Sequence, residues 1–309
     1  MLTYLIILLD DTSVSFCGYI NSRKDRRLIP LDVLRKGIIW GMKENLNIQF
    51  VYPNYSLPKE YCDLVETIDH TKIGPLGCGE KLDFIVVDTL RNIKRSQSQT
   101  YIWQCSLEEL NKEMVAVKEA LGNVQRLNMM LTDIHTWSQH EFSTYKVILE
   151  DLTDSVVELY QQGKNVQLNL LTDRLILESM NNCGAGDTSI SLAPDGRFYV
   201  CPVFYPSECV GSIDYGVSIP NKQLYRIDHA PICRVCDAFQ CQRCIWLNRE
   251  MTGDNNTPSH QQCVAAHLER NASLRLKQKL KELGIKLKHT SEMKEIDYLD
   301  PFNIVNRWK

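Results

Sequence analysis

The chain has 309 residues, of which 44% are hydrophobic and 24% charged, and its formal net charge is −3. This length is enough for one large hydrophobic core and a smaller second domain. The slightly acidic balance provides no basic field for nucleic acid, and no apolar run approaches the roughly 18 residues of a membrane span. We therefore expect a cytoplasmic protein with no nucleic-acid partner and no membrane partner.

The first half of the chain alternates short apolar runs with longer amphipathic stretches. The first run, TYLIILL at 3–9, lacks the basic flank of a signal peptide and ends at two aspartates, so it predicts a buried strand. The same periodicities predict a helix at 31–45, strands at 47–53, 83–90, 99–105, 124–131 and 165–171, and two helices that begin at the capping boxes Ser106–Glu109 and Ser138–Glu141 and end near Gly122 and Gly163.

Strands separated by helices predict right-handed crossovers and a mostly parallel sheet. Such units form either an open sheet or an incomplete (β/α) barrel, and in both the carboxyl ends of the strands line the site. Polar residues at those ends either line a site or act as helix caps and turn formers: Asp10, Asp11, Asp88, Asp133, His135 and Asp173.

The chain changes character near residues 175–183, after which loops dominate up to residue 263. The sequence TSISLAPDGRFYVCP predicts a hairpin that turns at 194–196, and a helix is expected at 258–283. Residues 270–288 contain seven Lys or Arg against one acidic residue. That basic stretch is either an ordinary solvated face or a docking surface for an acidic leader peptide or partner. A tail packed by aromatic side chains ends the sequence: Tyr298, Phe302 and Trp308.

The twelve cysteines are distributed unevenly, with eight of them between residues 183 and 263. In a reducing compartment so many cysteines are not expected to form disulfides. The other four are scattered, and three of them are expected to be small buried hydrophobic residues: Cys62, Cys78 and Cys105. The C-terminal group needs another explanation.

Residues 233–244 read CRVCDAFQCQRC, with two CxxC pairs only four residues apart. A structural zinc site usually separates its two pairs by a dozen or more residues. Closely spaced cysteines are typical of iron–sulfur ligation, in which one segment supplies several ligands and a distant residue supplies another. The spacing favours an iron–sulfur cluster, with zinc as the alternative.

The order Cys183, DGRFYVC, CRVCDAFQCQRC and Cys263 resembles the SPASM domain, a C-terminal extension of many radical SAM enzymes that modify ribosomal peptides. This resemblance implies one or two [4Fe–4S] clusters, one held by Cys233, Cys236, Cys241 and Cys263 and the other by Cys183, Cys201 and Cys244. An upstream ligand of the pattern is missing, because no cysteine occurs between residues 105 and 183. Either Cys209 replaces it, or one iron is open to a substrate thiolate, or that cluster is lost.

Radical SAM enzymes also carry CxxxCxxC directly after their first strand, and this motif is incomplete here. The loop reads DDTSVSFC, so that with Cys17 in the third position the first two positions are Asp10 and Val14. One thiolate cannot hold a redox cluster, and Cys17 is otherwise an ordinary loop cysteine. The resemblance therefore implies a degenerate radical SAM-like barrel that does not cleave S-adenosylmethionine, and the catalytic residues stay unknown.

The sequence from MLTYLIILLDDTSVSFCGY through RLIPLDVLRKGIIWGMKENLNIQFVYP resembles the CXXX-repeat peptide maturase family. That resemblance implies a cysteine-repeat precursor peptide and a separate radical SAM maturase as partners. The expected organisation is a degenerate radical SAM-like partial barrel at 1–177, a SPASM-like cysteine-rich domain at 178–268, and a helix with a tail at 269–309.

The expected function is maturation of a cysteine-rich ribosomally synthesised peptide, with auxiliary [4Fe–4S] clusters that relay electrons or bind a substrate thiolate. Two alternatives remain open. One is a non-catalytic adaptor that binds the precursor peptide, and the other is a zinc-stapled structural protein.

Overall fold

The computed structural model describes residues 1–93, 96–180 and 182–285. Within these ranges the backbone forms two compact units. The first unit contains Met1–Val86 and Cys183–His229, and the second contains Val87–Asn182 and the described residues from Ala230 onward. No helix in the described ranges is long and apolar enough to cross a membrane.

Strands and helices are numbered in chain order. The strands are β1 Tyr4–Leu8, β2 Asn47–Val51, β3 Thr71–Pro75, β4 Phe84–Val87, β5 Ser96–Cys105, β6 Val124–Leu131, β7 Gln167–Leu168, β8 Ser189–Leu192, β9 Arg197–Tyr199, β10 Cys209–Ser212 and β11 Gly216–Val217. The α-helices are α1 Leu31–Lys43, α2 Lys59–Val65, α3 Leu107–Lys112, α4 Met114–Leu121, α5 Gln139–Gln161, α6 Asn169–Ile176, α7 Ile245–Thr252 and α8 His260–Glu282.

The first unit is built on a mixed sheet with the order β11-β10-β9-β8-β1-β2-β3-β4. Strands β8, β1, β2, β3 and β4 pair in parallel, whereas β9, β10 and β11 extend the β8 edge in antiparallel pairs. Strand β1 lies inside the parallel part, and its last four residues are buried. A continuous apolar run of this kind is typical of a parallel strand covered on both faces.

Helix α1 lies against this sheet at a glycine. A Cβ atom at Gly37 would lie 2.4 Å from the Cδ2 atom of Leu192 in β8, so a larger residue at this position would require the Leu192 side chain to shift. The neighbouring side chains of Leu34 and Ile38 are buried at the same face of α1.

The second unit contains a parallel sheet of β5, β6 and β7. Helix α8 packs against two other helices of this unit through buried hydrogen bonds. The Tyr145 hydroxyl of α5 donates to Oε1 of Glu269 at 2.7 Å, and the Ser273 hydroxyl donates to the carbonyl of Leu171 in α6 at 2.7 Å. These bonds fix the position of α8, which carries Cys263.

Most of the predicted elements are confirmed. The expected strands contain β1, β2, β4 and β6, and the expected helices contain α1, α5 and α8. Strand β5 begins three residues before the expected strand at 99–105, and the single helix expected between Ser106 and Gly122 is divided into α3 and α4 at Glu113. Both capping boxes form, and the predicted hairpin joins β8 to β9, with Gly196 at a φ of +77° in its turn. The short elements α2 and β3 were missed, and Tyr298, Phe302 and Trp308 lie outside the described residues.

The strand predicted at 165–171 is wrong in its second half. Strand β7 has only two residues, and helix α6 begins at Asn169. The side chain of Asn169 bonds to both main-chain groups of Met129 in β6, at 2.8 Å and 2.9 Å, and Thr172 accepts from the Leu168 amide at 3.0 Å. These bonds end the strand and start the helix, and an apolar run cannot reveal them.

The predicted cysteine-rich domain at 178–268 is divided between the two units, because residues 183–229 belong to the first and residues from 230 onward to the second. The boundaries at 177 and 268 stay predictions, since a sequence module need not coincide with a unit of packing.

Candidate metal centre

Four of the predicted ligands line one cavity of the second unit: Cys233, Cys236, Cys241 and Cys263. Cys233 begins a single 3-10 turn, and Cys236 and Cys241 lie on the loop that follows it. Cys263 lies in the first turn of α8, which starts where the Ser259 hydroxyl accepts a bond from the Gln262 amide at 3.1 Å. The loop thus places three closely spaced cysteines, and the start of α8 places a fourth, in the wall of the same cavity.

Backbone amides and an imidazole point to the sulfur atoms of this cavity. The Ala238 amide donates to Sγ of Cys236 at 3.4 Å, and Nε2 of His267 lies 3.5 Å from the same sulfur. The Arg243 amide hydrogen-bonds to the Cys241 thiol. Hydrogen bonds of this kind stabilise a thiolate and are among the factors that tune iron–sulfur clusters.

The surroundings of Cys233 and Cys241 disfavour their thiolate forms. Burial raises the pKa of Cys241, and repulsion from the neighbouring Cys236 and Cys233 raises it further. Burial also raises the pKa of Cys233, whereas the Arg243 charge lowers it. Buried thiols that repel one another when ionised become thiolates when a metal centre supplies positive charge.

The donor set of the cavity fits an iron–sulfur cluster. Within the described ranges, no group of three or more Cys, His, Asp or Glu side chains is already arranged around a metal position. Four thiolates around one zinc must converge on a single centre, whereas in a [4Fe–4S] cluster each thiolate binds a different iron. The cavity provides only sulfur atoms at its predicted ligand positions, which is the ligand type that such clusters require.

The other predicted ligands do not line this cavity. Cys244 caps α7, where its Sγ atom accepts from the Leu247 amide at 3.5 Å. Cys183 and Cys209 are exposed and Cys201 is half-buried, and all three belong to the first unit. The ligand set of Cys183, Cys201 and Cys244 therefore includes residues of both units, and it stays a prediction, as does the role of Cys209.

The loop after β1 is held by hydrogen bonds at the positions where radical SAM enzymes have cysteines. The buried Asp10 carboxylate accepts bonds from the Thr12 amide at 2.8 Å and from the Tyr55 hydroxyl at 2.9 Å. The Val14 amide donates to the carbonyl of Tyr52 at 3.0 Å. Asp10 and Val14 thus take part in fixing the loop backbone.

Several of the acidic residues at strand ends also have structural partners. Asp133 accepts the Leu107 amide at 3.0 Å and 3.2 Å, at the start of α3. Asp173 lies in α6 and forms a two-bond ion pair with Arg126, at 2.7 Å and 2.8 Å. For these residues the structure favours capping and pairing over a role in a site.

The scattered and basic residues have ordinary environments. Cys78 and Cys105 are buried as predicted, whereas Cys62 is half-buried and lies 3.4 Å from Glu80. Three basic residues of α8 pair with acidic residues of the second unit: Arg270 with Asp237, Arg275 with Glu150, and Lys279 with Asp154. Much of the described basic stretch is therefore neutralised.

Two residues of the cavity were missed by the sequence analysis. Arg243 stands between the last two cysteines of CRVCDAFQCQRC, and His267 follows Cys263 by four residues. A spacing of four on a helix places two side chains on one face, which could have indicated His267. For Arg243 the sequence contains no signal of burial.

Comparison with protein-family profiles gives no match, and comparison with curated proteins gives none. Among solved structures, the chain is similar to hexahistidine-tagged anSMEcpe with bound AdoMet, with 12% identity, a TM-score of 0.61, and coverage of 90% of this chain and 98% of that one. It is similar to native anSMEcpe with bound AdoMet and Cp18Cys peptide, with 12% identity, a TM-score of 0.61, and coverage of 91% and 100%.

A third structure, Streptococcus suis SuiB bound to precursor peptide SuiA, is 12% identical and has a TM-score of 0.48, with coverage of 83% of this chain and 74% of that one. The anSMEcpe structures belong to the radical SAM enzymes with a SPASM or twitch region. The similarity to them extends over nine-tenths of the chain. The chain therefore has the α/β fold of the radical SAM type, with a large parallel sheet.

Proposed function

We propose that this protein takes part in the maturation of a cysteine-rich ribosomally synthesised peptide in the cytoplasm, together with a separate radical SAM maturase. In this proposal the chain is a CXXX-repeat peptide maturase. Its fold is that of anSMEcpe, which has been crystallised with peptides and AdoMet. The protein itself does not cleave S-adenosylmethionine, because two of the three motif positions after β1 are Asp10 and Val14.

The observation that carries the proposal is the cavity shared by Cys233, Cys236, Cys241 and Cys263. These four residues would hold one [4Fe–4S] cluster, and Cys183, Cys201 and Cys244, with Cys209 or an open iron, would hold a second. Such clusters supply one-electron chemistry or, at an open iron, a binding site for a substrate thiolate. The chain's own residues bury the sulfur atoms, donate hydrogen bonds to them and place positive charge beside them.

An adaptor that only binds the precursor peptide is the second candidate. It is supported by the loss of the CxxxCxxC motif, because a barrel without its catalytic cluster can keep a peptide-binding surface. The zinc alternative is supported by the same four thiols, because four cysteine thiolates can also bind one zinc ion.

Mass spectrometry of a synthetic peptide of CXXX repeats tests the proposal. The peptide is incubated anaerobically with a complete radical SAM maturase of the same source, AdoMet and a reductant, with or without this protein. We expect a mass change that requires the protein and is lost with Cys236→Ala and Cys241→Ala. The matched control is Cys62→Ala, which removes a half-buried cysteine of α2.

The outcomes separate the two candidates. A pull-down with the same peptide measures binding by each variant. If the protein is an adaptor, a Cys236→Ala variant that still folds and binds the peptide should also support the mass change. A mass change of equal size without the protein contradicts both candidates.

A further inference from the structure

Arg243 lies in the wall of the cavity that contains the four cysteines, and its side chain is 0% exposed. Its Nε atom donates to Oδ1 of Asn182 at 3.0 Å, and its Nη1 atom donates to Oδ1 of Asn256 at 3.0 Å. These two bonds orient the guanidinium. The cavity wall therefore contains an oriented, buried cation.

This residue interacts with two thiols that precede it in the sequence. The guanidinium charge acts on Cys233, the Arg243 backbone amide hydrogen-bonds to the Cys241 thiol, and all three residues line the same cavity. The residue has a φ of +30°, which is costly for a side chain other than glycine. The hydrogen bonds to Asn182 and Asn256 contribute to offsetting that cost.

A buried guanidinium is stabilised by negative charge near it. Four thiolates outweigh the positive charge of an iron–sulfur core, so a cluster bound by them is an anion, and one further electron makes it more negative. A cation fixed beside this group favours the reduced form over the oxidised form.

We propose that Arg243 is a positioning residue that acts as the counter-charge of a cluster held by Cys233, Cys236, Cys241 and Cys263, and that it raises the reduction potential of that cluster. This inference rests on the proposed function, because it assumes the cluster. With this role for Arg243, the cavity is a redox site whose reduction potential is set by the protein, in addition to any contribution of the cluster to stability.

The test is a redox titration of the full-length protein, reconstituted anaerobically with iron and sulfide and followed by electron paramagnetic resonance. Iron and sulfide contents are measured first. We expect Arg243→Gln to retain its iron and to have a lower midpoint potential, whereas Arg243→Lys keeps the charge and stays closer to the wild type.

A second variant keeps Arg243 in place and covers the possibility that Arg243→Gln does not fold. Asn182→Asp puts a carboxylate at the Nε atom of the guanidinium, so it should also lower the midpoint potential. The matched control is Asn255→Asp, which adds the same charge at a half-buried residue next to Asn256 and should have a smaller effect.

The results distinguish this inference from the proposed function. Wild-type protein without iron and sulfide overturns both. Full iron content in Arg243→Gln and in Asn182→Asp with an unchanged midpoint potential overturns only the role of Arg243. If Arg243→Gln fails to fold, the comparison of Asn182→Asp with Asn255→Asp decides, and equal potentials overturn the inference.

Discussion

The Nε2 atom of His267 lies 3.5 Å from the Sγ atom of Cys236. His267 and Cys263 lie one turn apart on α8 and both line the four-cysteine cavity. One helix thus supplies a predicted ligand from its first turn and a hydrogen-bonding partner for another ligand from its second.

We predict that His267→Leu accelerates the loss of iron from the reconstituted protein to a chelator. Outer residues that bond to metal ligands typically contribute about tenfold or more to metal retention, so an increase in rate of about tenfold is expected. His267→Gln keeps an N–H donor and should have a smaller effect. The measurement is the anaerobic decay of the absorbance near 400 nm, and equal rates in all three proteins would show that the contact does not retain the metal.

The pH dependence of stability should depend on Glu269. The pKa of this carboxyl is raised to about 7 from 4.5, mainly by burial. Hydrogen bonds from Tyr145 and Gln240 lower this pKa, whereas the charge of Asp173 raises it further. The native state therefore binds a proton more tightly than the unfolded state does. The resulting stabilisation is complete below about pH 4.5 and is lost as the pH rises through about 7.

Glu269→Gln removes this titration and can still accept a bond from the Tyr145 hydroxyl. We expect the wild type to lose about 2.5 kcal/mol more than the variant between pH 5 and pH 8, given about 1.4 kcal/mol for each unit of pKa. Urea unfolding of the metal-free, reduced protein at the two pH values measures this difference. An equal loss of unfolding free energy in the two proteins would contradict a raised pKa of Glu269 in the native state.

Breaking the ion pair between Asp173 and Arg126 should strongly destabilise the second unit. The Asp173 side chain is only 6% exposed and that of Arg126 is 23% exposed. Removing one partner of such a pair leaves the other poorly compensated, so Asp173→Ala should cost about 3 kcal/mol.

The matched control for Asp173 is Lys118→Ala, which breaks the exposed pair with Asp151 and should cost less than about 1 kcal/mol. Chemical denaturation midpoints compare the two variants. A loss in Asp173→Ala no larger than that in the control would show that the buried pair contributes little.

In the first unit, Gly211 should tolerate no side chain. It has a φ of +150°, and a Cβ atom there would lie 2.1 Å from the carbonyl oxygen of Gly216 in the neighbouring strand. Gly216 also has a positive φ, but a Cβ atom there would meet nothing within 4 Å.

Gly211→Ala should therefore be less stable than Gly216→Ala by about 2 kcal/mol, because only the first adds a steric clash to the backbone strain. Thermal unfolding of the two variants measures the difference. Equal destabilisation of the two variants would mean that β10 and β11 can move apart at Gly211 without loss of stability.

Local signals in the sequence predicted much of the fold. The apolar run of β1 and the capping box of Ser138 and Glu141 are determined by neighbouring residues, and both are confirmed. The end of β7 was not predictable, because it depends on the bonds of Asn169 to Met129, which is 40 residues away in the sequence.

The candidate site, like the fold, was predictable only in part. The close spacing within CRVCDAFQCQRC indicated a metal centre, whereas the grouping of Cys233, Cys236, Cys241 and Cys263 was implied by the resemblance to the SPASM domain. These four residues line one cavity, and their role as ligands stays a prediction. The burial of Arg243 and the contact of His267 depend on how α8 packs in the second unit. No pattern of residue types along the chain specifies that packing.

The most direct test of the account is the iron and acid-labile sulfide content of the protein after anaerobic reconstitution. One or two clusters require about four or eight irons per chain, with matching sulfide. We expect Cys236→Ala and Cys241→Ala to lose about four of them, and Cys62→Ala to lose none. Fewer than about three irons per wild-type chain, or stoichiometric zinc in protein purified without oxygen, would contradict the assignment of the four-cysteine cavity to an iron–sulfur cluster.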